Sequence, residues 1–145
     1  MSFHPYLFFG GNCRQAFTRY QEVFGGELVL ITTADMPAEE QMPGADPDTI
    51  MHAALKIDGA LLMGSDDPFN VPFGPVQGMQ VNYEAADAER AATVFEALAD
   101  GGEVGAPLGP TSFAPAFGMC TDRFGTAWMV NIAGAAAGGS EGSAG

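Results

Sequence analysis

Residues 50–65 read IMHAALKIDGALLMGS. Two strand-forming runs, Ile50–Ile57 and Ala60–Ser65, are separated by Asp58-Gly59, a dipeptide that supplies the positive-φ turn of a two-residue β-hairpin. Alternation then sorts the side chains. Ala53, Leu55, Ile57 and Leu62 make an apolar face suited to a helix, and His52, Ala54, Lys56, Leu61, Met63 and Ser65 fall on the opposite face. A two-residue turn pairs Ala54 with Met63 and His52 with Ser65, so the two strands agree on this sorting.

The hairpin has a counterpart further along the chain. LKIDGALLM (55–63) matches TDRFGTAWM (121–129), with Gly59 on Gly125 and Met63 on Met129, and FGGEL (24–28) matches DGGEV (100–104). The second hairpin is predicted as Phe117–Arg123, a Phe124-Gly125 turn and Thr126–Ile132. Ahead of each hairpin lies a helical pattern. One runs from an Asn12 cap to about Phe24, with Ala16, Phe17, Tyr20, Val23 and Phe24 as its stripe. The other runs from about Asp87 to Ala99, with Ala91, Val94, Phe95 and Leu98. Strand signals at His4–Phe9, Glu27–Thr33, Met79–Glu84 and Glu103–Leu108 complete two copies of strand, helix, strand, strand, strand. Neither copy buries its sheet alone, so the two are expected to pack side by side into one curved sheet. Module 1 covers about residues 1–67 and module 2 about 78–133. Proline-rich loops are predicted at 35–49 and 66–77, and the small-residue tail 134–145 is expected to be flexible.

Composition narrows the function classes. A length of 145 residues with 47% hydrophobic and 16% charged residues describes one globular domain. No apolar run approaches the ~18 residues of a membrane span, and Met1–Pro5 does not resemble a secretory signal. The net charge of −13 argues against nucleic acid and anionic membrane surfaces as partners. The acids are scattered from Glu22 to Glu141, as on a solvated surface. With two cysteines, Cys13 and Cys120, the expectation is reduced, buried thiols in a cytoplasmic protein.

Three strings carry a family resemblance: PYLFFGGNCRQAFTRYQEVFGGEL from Pro5, IMHAALKIDGALLMGSD from Ile50, and FGMCTDRFGTAWMVN from Phe117. Together they resemble the PhnB-like branch of the vicinal oxygen chelate superfamily, which includes glyoxalases, bleomycin-resistance proteins and extradiol dioxygenases. The resemblance spans roughly Pro5 to Asn131. It implies an α+β fold of paired βαβββ modules, whose eight strands form an incomplete barrel around a cavity, and a homodimeric assembly. The branch also resembles proteins described as demethylubiquinone methyltransferase-like. A nucleotide-type methyl donor would need a glycine-rich phosphate loop, and Gly10-Gly11 and Gly101-Gly102 read instead as helix boundaries.

Within that fold, alternation predicts which residues line the cavity. Leu7 and Phe9 face the first helix, leaving His4, Tyr6 and Phe8 inward, and Met79, Val81 and Tyr83 face the second, leaving Gln80 and Asn82 inward. His52, Met63 and Ser65 come from the first hairpin. By the repeat, Cys120, Met129 and Asn131 come from the second, with Phe113 and Phe117 at the mouth, where the branch tends to carry a Trp at the position of Ala114. This mostly apolar set with a few polar groups suits a small-molecule ligand. Trp128 reads as a core anchor, Asp122 as a turn residue, and Cys120 as an inert thiol.

Enzymes of the superfamily hold a divalent ion with His and Glu side chains from four strands, and the resemblance places those positions near His4, Met63, Gly78 and Met129. Glycine offers no side chain, and a thioether is a poor ligand for ions that favour oxygen and imidazole. No metal and no cofactor are therefore expected. Two arrangements remain for the histidines. Either His4 and His52 meet across the cavity on a metal, or His52 hydrogen-bonds Ser65 and His4 lies at a strand edge; the second is favoured. The leading expectation is a metal-independent small-molecule-binding protein. The alternatives are a metal-dependent lyase, isomerase or dioxygenase with an atypical ligand set, and sequestration of a cationic antibiotic.

Overall fold

The computed structural model describes residues 2–67, 74, 76–111 and 116–132. The tail 134–145, Phe113 and most of the 68–75 stretch lie outside the described residues. The chain divides into two compact units, Met1–Gly74 and Pro75–Gly145.

The first unit runs β1 (Tyr6–Phe9), α1 (Cys13–Phe24), β2 (Glu27–Thr32), β3 (Ile50–Ile57) and β4 (Ala60–Asp66). Its sheet has the order β1-β4-β3-β2, with β1 parallel to β4 and the other pairs antiparallel. The predicted hairpin register is observed, with Ala54 opposite Met63 and Ile57 opposite Ala60. The turn residues Asp58 and Gly59 both have positive φ, 42° and 85°. The acidic 35–49 loop is tied at its base, where Thr33 N–H donates to Thr49 C=O and Ala34 N–H to Pro47 C=O.

The second unit repeats the pattern with β5 (Val81–Ala85), α2 (Ala88–Ala99), β6 (Glu103–Gly109), β7 (Phe117–Thr121) and β8 (Ala127–Ile132), in the order β5-β8-β7-β6. Among the described residues, hydrogen bonding divides the eight strands into two open sheets of four, not the single continuous sheet expected from the repeat.

Each sheet buries one face under its helix. In the first unit, Leu7, Phe9, Ala53, Leu55 and Leu62 are buried, as are Ala16, Phe17 and Tyr20 of α1. The Phe17 ring meets Phe9 and Tyr20 edge-on, with centroids 6.1 and 5.5 Å apart. The close approach requires Gly64, because a Cβ there would lie 2.8 Å from Phe17 Cε1 and 2.7 Å from Leu7 O. Gly118 plays the same part in the second unit, 2.8 Å from Phe95 Cε1. There Ala91, Val94 and Leu98 of α2 are buried, as are Trp128 and Val130 of β8.

The helix starts differ. Asp87, where the second helix was expected to begin, caps α2, accepting from Arg90 N–H at 2.8 Å. Asn12 occupies the N-cap of α1, but its side chain makes no capping hydrogen bond. The orphan amides are met from across the unit: Asp66 Oδ1 accepts from Gly11 N–H and Cys13 N–H at 3.0 and 2.9 Å, while its Oδ2 accepts from Ile50 N–H at 3.1 Å. Asp66, expected to open a loop, is the buried last residue of β4 and fastens helix, strand and hairpin together.

Candidate functional site

The faces opposite the helices carry the candidate site. In the first unit the ladder places Tyr6 beside Met63 and Phe8 beside Ser65. Met63 lies opposite Ala54, which lies opposite Val29, and His52 lies opposite Ile31. Tyr6, Phe8 and Val29 are 36%, 61% and 43% exposed, an apolar surface that α1 does not cover. Its aromatic groups touch. Tyr6 and Phe8 have centroids 5.2 Å apart, Tyr6 and His52 5.8 Å, and the Tyr6 hydroxyl lies 3.2 Å from His52 Nδ1.

His52 does not bond Ser65, the partner expected from strand pairing. Ser65 is buried, and His52 pairs with Tyr6, on the far side of β4. A tyrosine on an edge strand spans two strand spacings, about 9–10 Å, a reach that nearest-neighbour pairing does not consider. His4 precedes β1, is exposed, and pairs through Nε2 with Ser2 Oγ at 2.9 Å.

In the second unit, Asn82 and Glu84 of β5 are exposed and stand beside Met129 and Asn131 of β8. Across β8, Met129 faces Met119 and Asn131 faces Phe117. Gln80 is exposed and lies before β5.

Cys120 does not belong to this face. It is 2% exposed and stands opposite Trp128, on the side that α2 covers. The two hairpins differ in their connections. Two residues, Asp58 and Gly59, separate β3 from β4, whereas the stretch from Asp122 to Thr126 separates β7 from β8. The change from an even to an odd connection shifts β7 by one residue and turns each of its side chains to the other face. Met119 takes the place assigned to Cys120. Glu84 was likewise missed, although its alternation with Asn82 was a usable signal.

The buried carboxylates and thiols are structural. Asp122 accepts from Phe124 N–H, Thr126 N–H and Trp128 Nε1–H, each within 2.9 Å, which leaves it committed to the turn and the core. Burial, and then the Asp122 charge, pushes the Cys120 thiol up to about 11. Burial, and then Asp66, raises Cys13 as well, against a smaller opposing effect of Arg14. Neither thiol is poised as a nucleophile at neutral pH. Both are free and buried.

The ladders put Met63 and Met129 at matching places on the two open faces. They also set Tyr6 and Asn82, not His4 and Gly78, beside those methionines. Among the described residues, no three His, Cys, Asp or Glu side chains gather as a metal site.

Paired βαβββ units with open four-stranded sheets define the class: this is an α+β, glyoxalase-like fold. Solved structures with low identity share that fold, among them a glyoxalase-related enzyme from Fulvimarina pelagi (16% identity, TM-score 0.60, covering 91% of this chain and 87% of that one). The fosfomycin resistance protein FosX from Mesorhizobium loti is another (11%, TM-score 0.55, 90% of each chain). The chain belongs to the PhnB-like family whose model is described as 3-demethylubiquinone-9 3-methyltransferase, matched over residues 1–131. It is 34% identical to protein YjdN of Escherichia coli K12 over 91% of this chain and 95% of that protein. Protein PA1353 from Pseudomonas aeruginosa is similar at 42% identity, with a TM-score of 0.82, over 91% of this chain and 97% of that one. A Bacillus cereus PhnB protein, described as a putative 3-demethylubiquinone-9 3-methyltransferase, is 28% identical with a TM-score of 0.69, over 92% of this chain and 100% of that one. No helix among the described residues is long and apolar enough to cross a membrane.

Proposed function

We propose that this protein binds a small organic molecule on the open faces of its sheets, without the divalent ion usual in its superfamily. The observation that carries the reading is the pair Met63 and Met129. They hold matching ladder positions on the two open faces, and thioethers cannot replace hard carboxylate ligands. Around them stand groups suited to apolar recognition: the Tyr6–Phe8–His52 cluster in one unit and Phe117 and Met119 in the other. Methyl transfer is a poor fit, since the glycines flanking the helices serve as helix ends rather than as a phosphate-binding loop. The working assembly in this reading is a cytoplasmic homodimer.

A thermal-shift screen of apolar and aromatic metabolites and antibiotics, run with metal analysis of untagged protein, tests the proposal. The expected result is a raised melting temperature with one compound class and substoichiometric metal. Stoichiometric nickel, zinc, iron or manganese, lost in His4→Ala or His52→Ala, would establish the metal-dependent alternative instead.

A further inference from the structure

We infer that the open face of the second unit recognises a protonated nitrogen (an ammonium or amidinium group) on an apolar ligand, through the Glu84 carboxylate and the Asn131 side-chain carbonyl. The inference rests on the small-molecule reading above and names the chemistry of that ligand. Three observations carry it. Asn131 Oδ1 is buried and has no hydrogen-bond donor among the described residues, an acceptor left open where native structures seldom leave one. Glu84, exposed on β5, is the ladder partner of Asn131, so the two side chains leave the sheet on the same face.

The third observation concerns compensating charge. Of the chain's five Lys and Arg residues, only Arg90 and Arg123 lie in the second unit. Arg90 belongs to α2, on the covered side of the sheet, and donates to the Tyr83 hydroxyl. Arg123 is held by Asp100 at 2.8 Å. No basic side chain of this unit therefore serves Glu84 from its own face. A ligand that brings N–H donors and a positive charge satisfies both groups at once when the Asn131 side chain turns its carbonyl toward the face, and Phe117, Met119 and Met129 on the same face would contact its apolar body. The net charge of −13 adds long-range attraction for a cation.

Benzamidinium, benzamide and benzoate are isosteric probes of differing charge, and their binding to the full-length protein is measurable by calorimetry and by amide NMR. Benzamidinium is expected to bind at least tenfold more tightly than benzamide, with benzoate weaker still, and to shift the Asn131 side-chain amide resonance. Glu84→Gln, at an exposed position, is expected to fold normally and to weaken benzamidinium about tenfold, leaving benzamide unchanged. Asn131→Leu checks the acceptor independently. Equal binding of benzamidinium and benzamide at this face, or no effect of Glu84→Gln, would overturn the inference and leave the small-molecule reading standing. Failure of all three probes would also overturn it. Failure of the broad thermal-shift screen as well would remove the reading beneath it.

Discussion

The indole nitrogen of Trp128 donates to Asp122 Oδ2 at 2.8 Å, so the largest side chain in the second core is anchored to the loop that sets its own strand's register. The other carboxylate oxygen takes Phe124 N–H and Thr126 N–H, both at 2.9 Å. Removing the carboxylate would strand three donors at a buried site. Asp122→Ala is therefore expected to lower the unfolding free energy by about 3 kcal/mol, and Trp128 fluorescence should shift to the red as the indole gains water. Urea denaturation followed by that fluorescence checks both effects. A change under about 1 kcal/mol would mean the bonds contribute little.

Gly64 and Gly118 admit the aromatic rings of α1 and α2 onto their sheets. A methyl group at either position collides with a ring carbon at 2.8 Å, and at Gly64 also with backbone. Gly64→Ala and Gly118→Ala should each destabilise by about 1–3 kcal/mol, as overpacking does in closed cores. Thermal melts provide the comparison, with Gly59→Ala as a contrasting case, because its penalty is backbone strain at φ 85° without a steric clash. Wild-type melting of Gly64→Ala would show that the ring moves aside freely.

The Cys120 thiol has a folded pKa of about 11 against an ordinary 9.0. Since the folded value is the higher, its contribution to stability is complete below the unfolded pKa and is lost as pH rises from about 9 to about 11. Cys13 is raised by burial in the same direction. The urea midpoint should fall across that window in the wild type and fall less in Cys120→Ala. Native protein at neutral pH should also resist iodoacetamide until unfolded. Identical alkaline declines in the two proteins would refute the assignment.

Tyr6 is 36% exposed and contacts His52 on an open face, so its hydroxyl matters more for that face than for the fold. Tyr6→Phe is expected to change stability by less than about 0.5 kcal/mol while moving the His52 ring nitrogen resonances. Affinity for any ligand found in the screen should fall in Tyr6→Ala, which removes the ring between Phe8 and His52. Unchanged ligand affinity in that variant would place binding elsewhere.

Much of this architecture is legible in the chain itself. Helix stripes, glycine stops and the Asp58-Gly59 turn are local signals, each determined by side-chain periodicity or by a backbone angle that few residues tolerate. They locate both helices to within a residue and set the first hairpin in its observed register. The duplication follows from matching those signals. On the candidate site, alternation correctly separates Tyr6 and Phe8 from Leu7 and Phe9, and Asn82 from Val81 and Tyr83.

The remaining features depend on partners remote in the chain. Asp66 becomes a buried tether because Gly11, Cys13 and Ile50 present their amides to it together, and no local pattern near Asp66 announces three donors from two other segments. Tyr6 finds His52 because β4 inserts between their strands in the sheet order. Cys120 turns inward, and Met119 outward, because Asp122 organises an odd-length connection through its own side chain. Sequence periodicity alone determined the elements, their order and the apolar face of each. Tertiary structure decided the parity of β7 and the partners of the buried carboxylates, since register and hydrogen bonding depend on which backbone groups meet once the chain has folded.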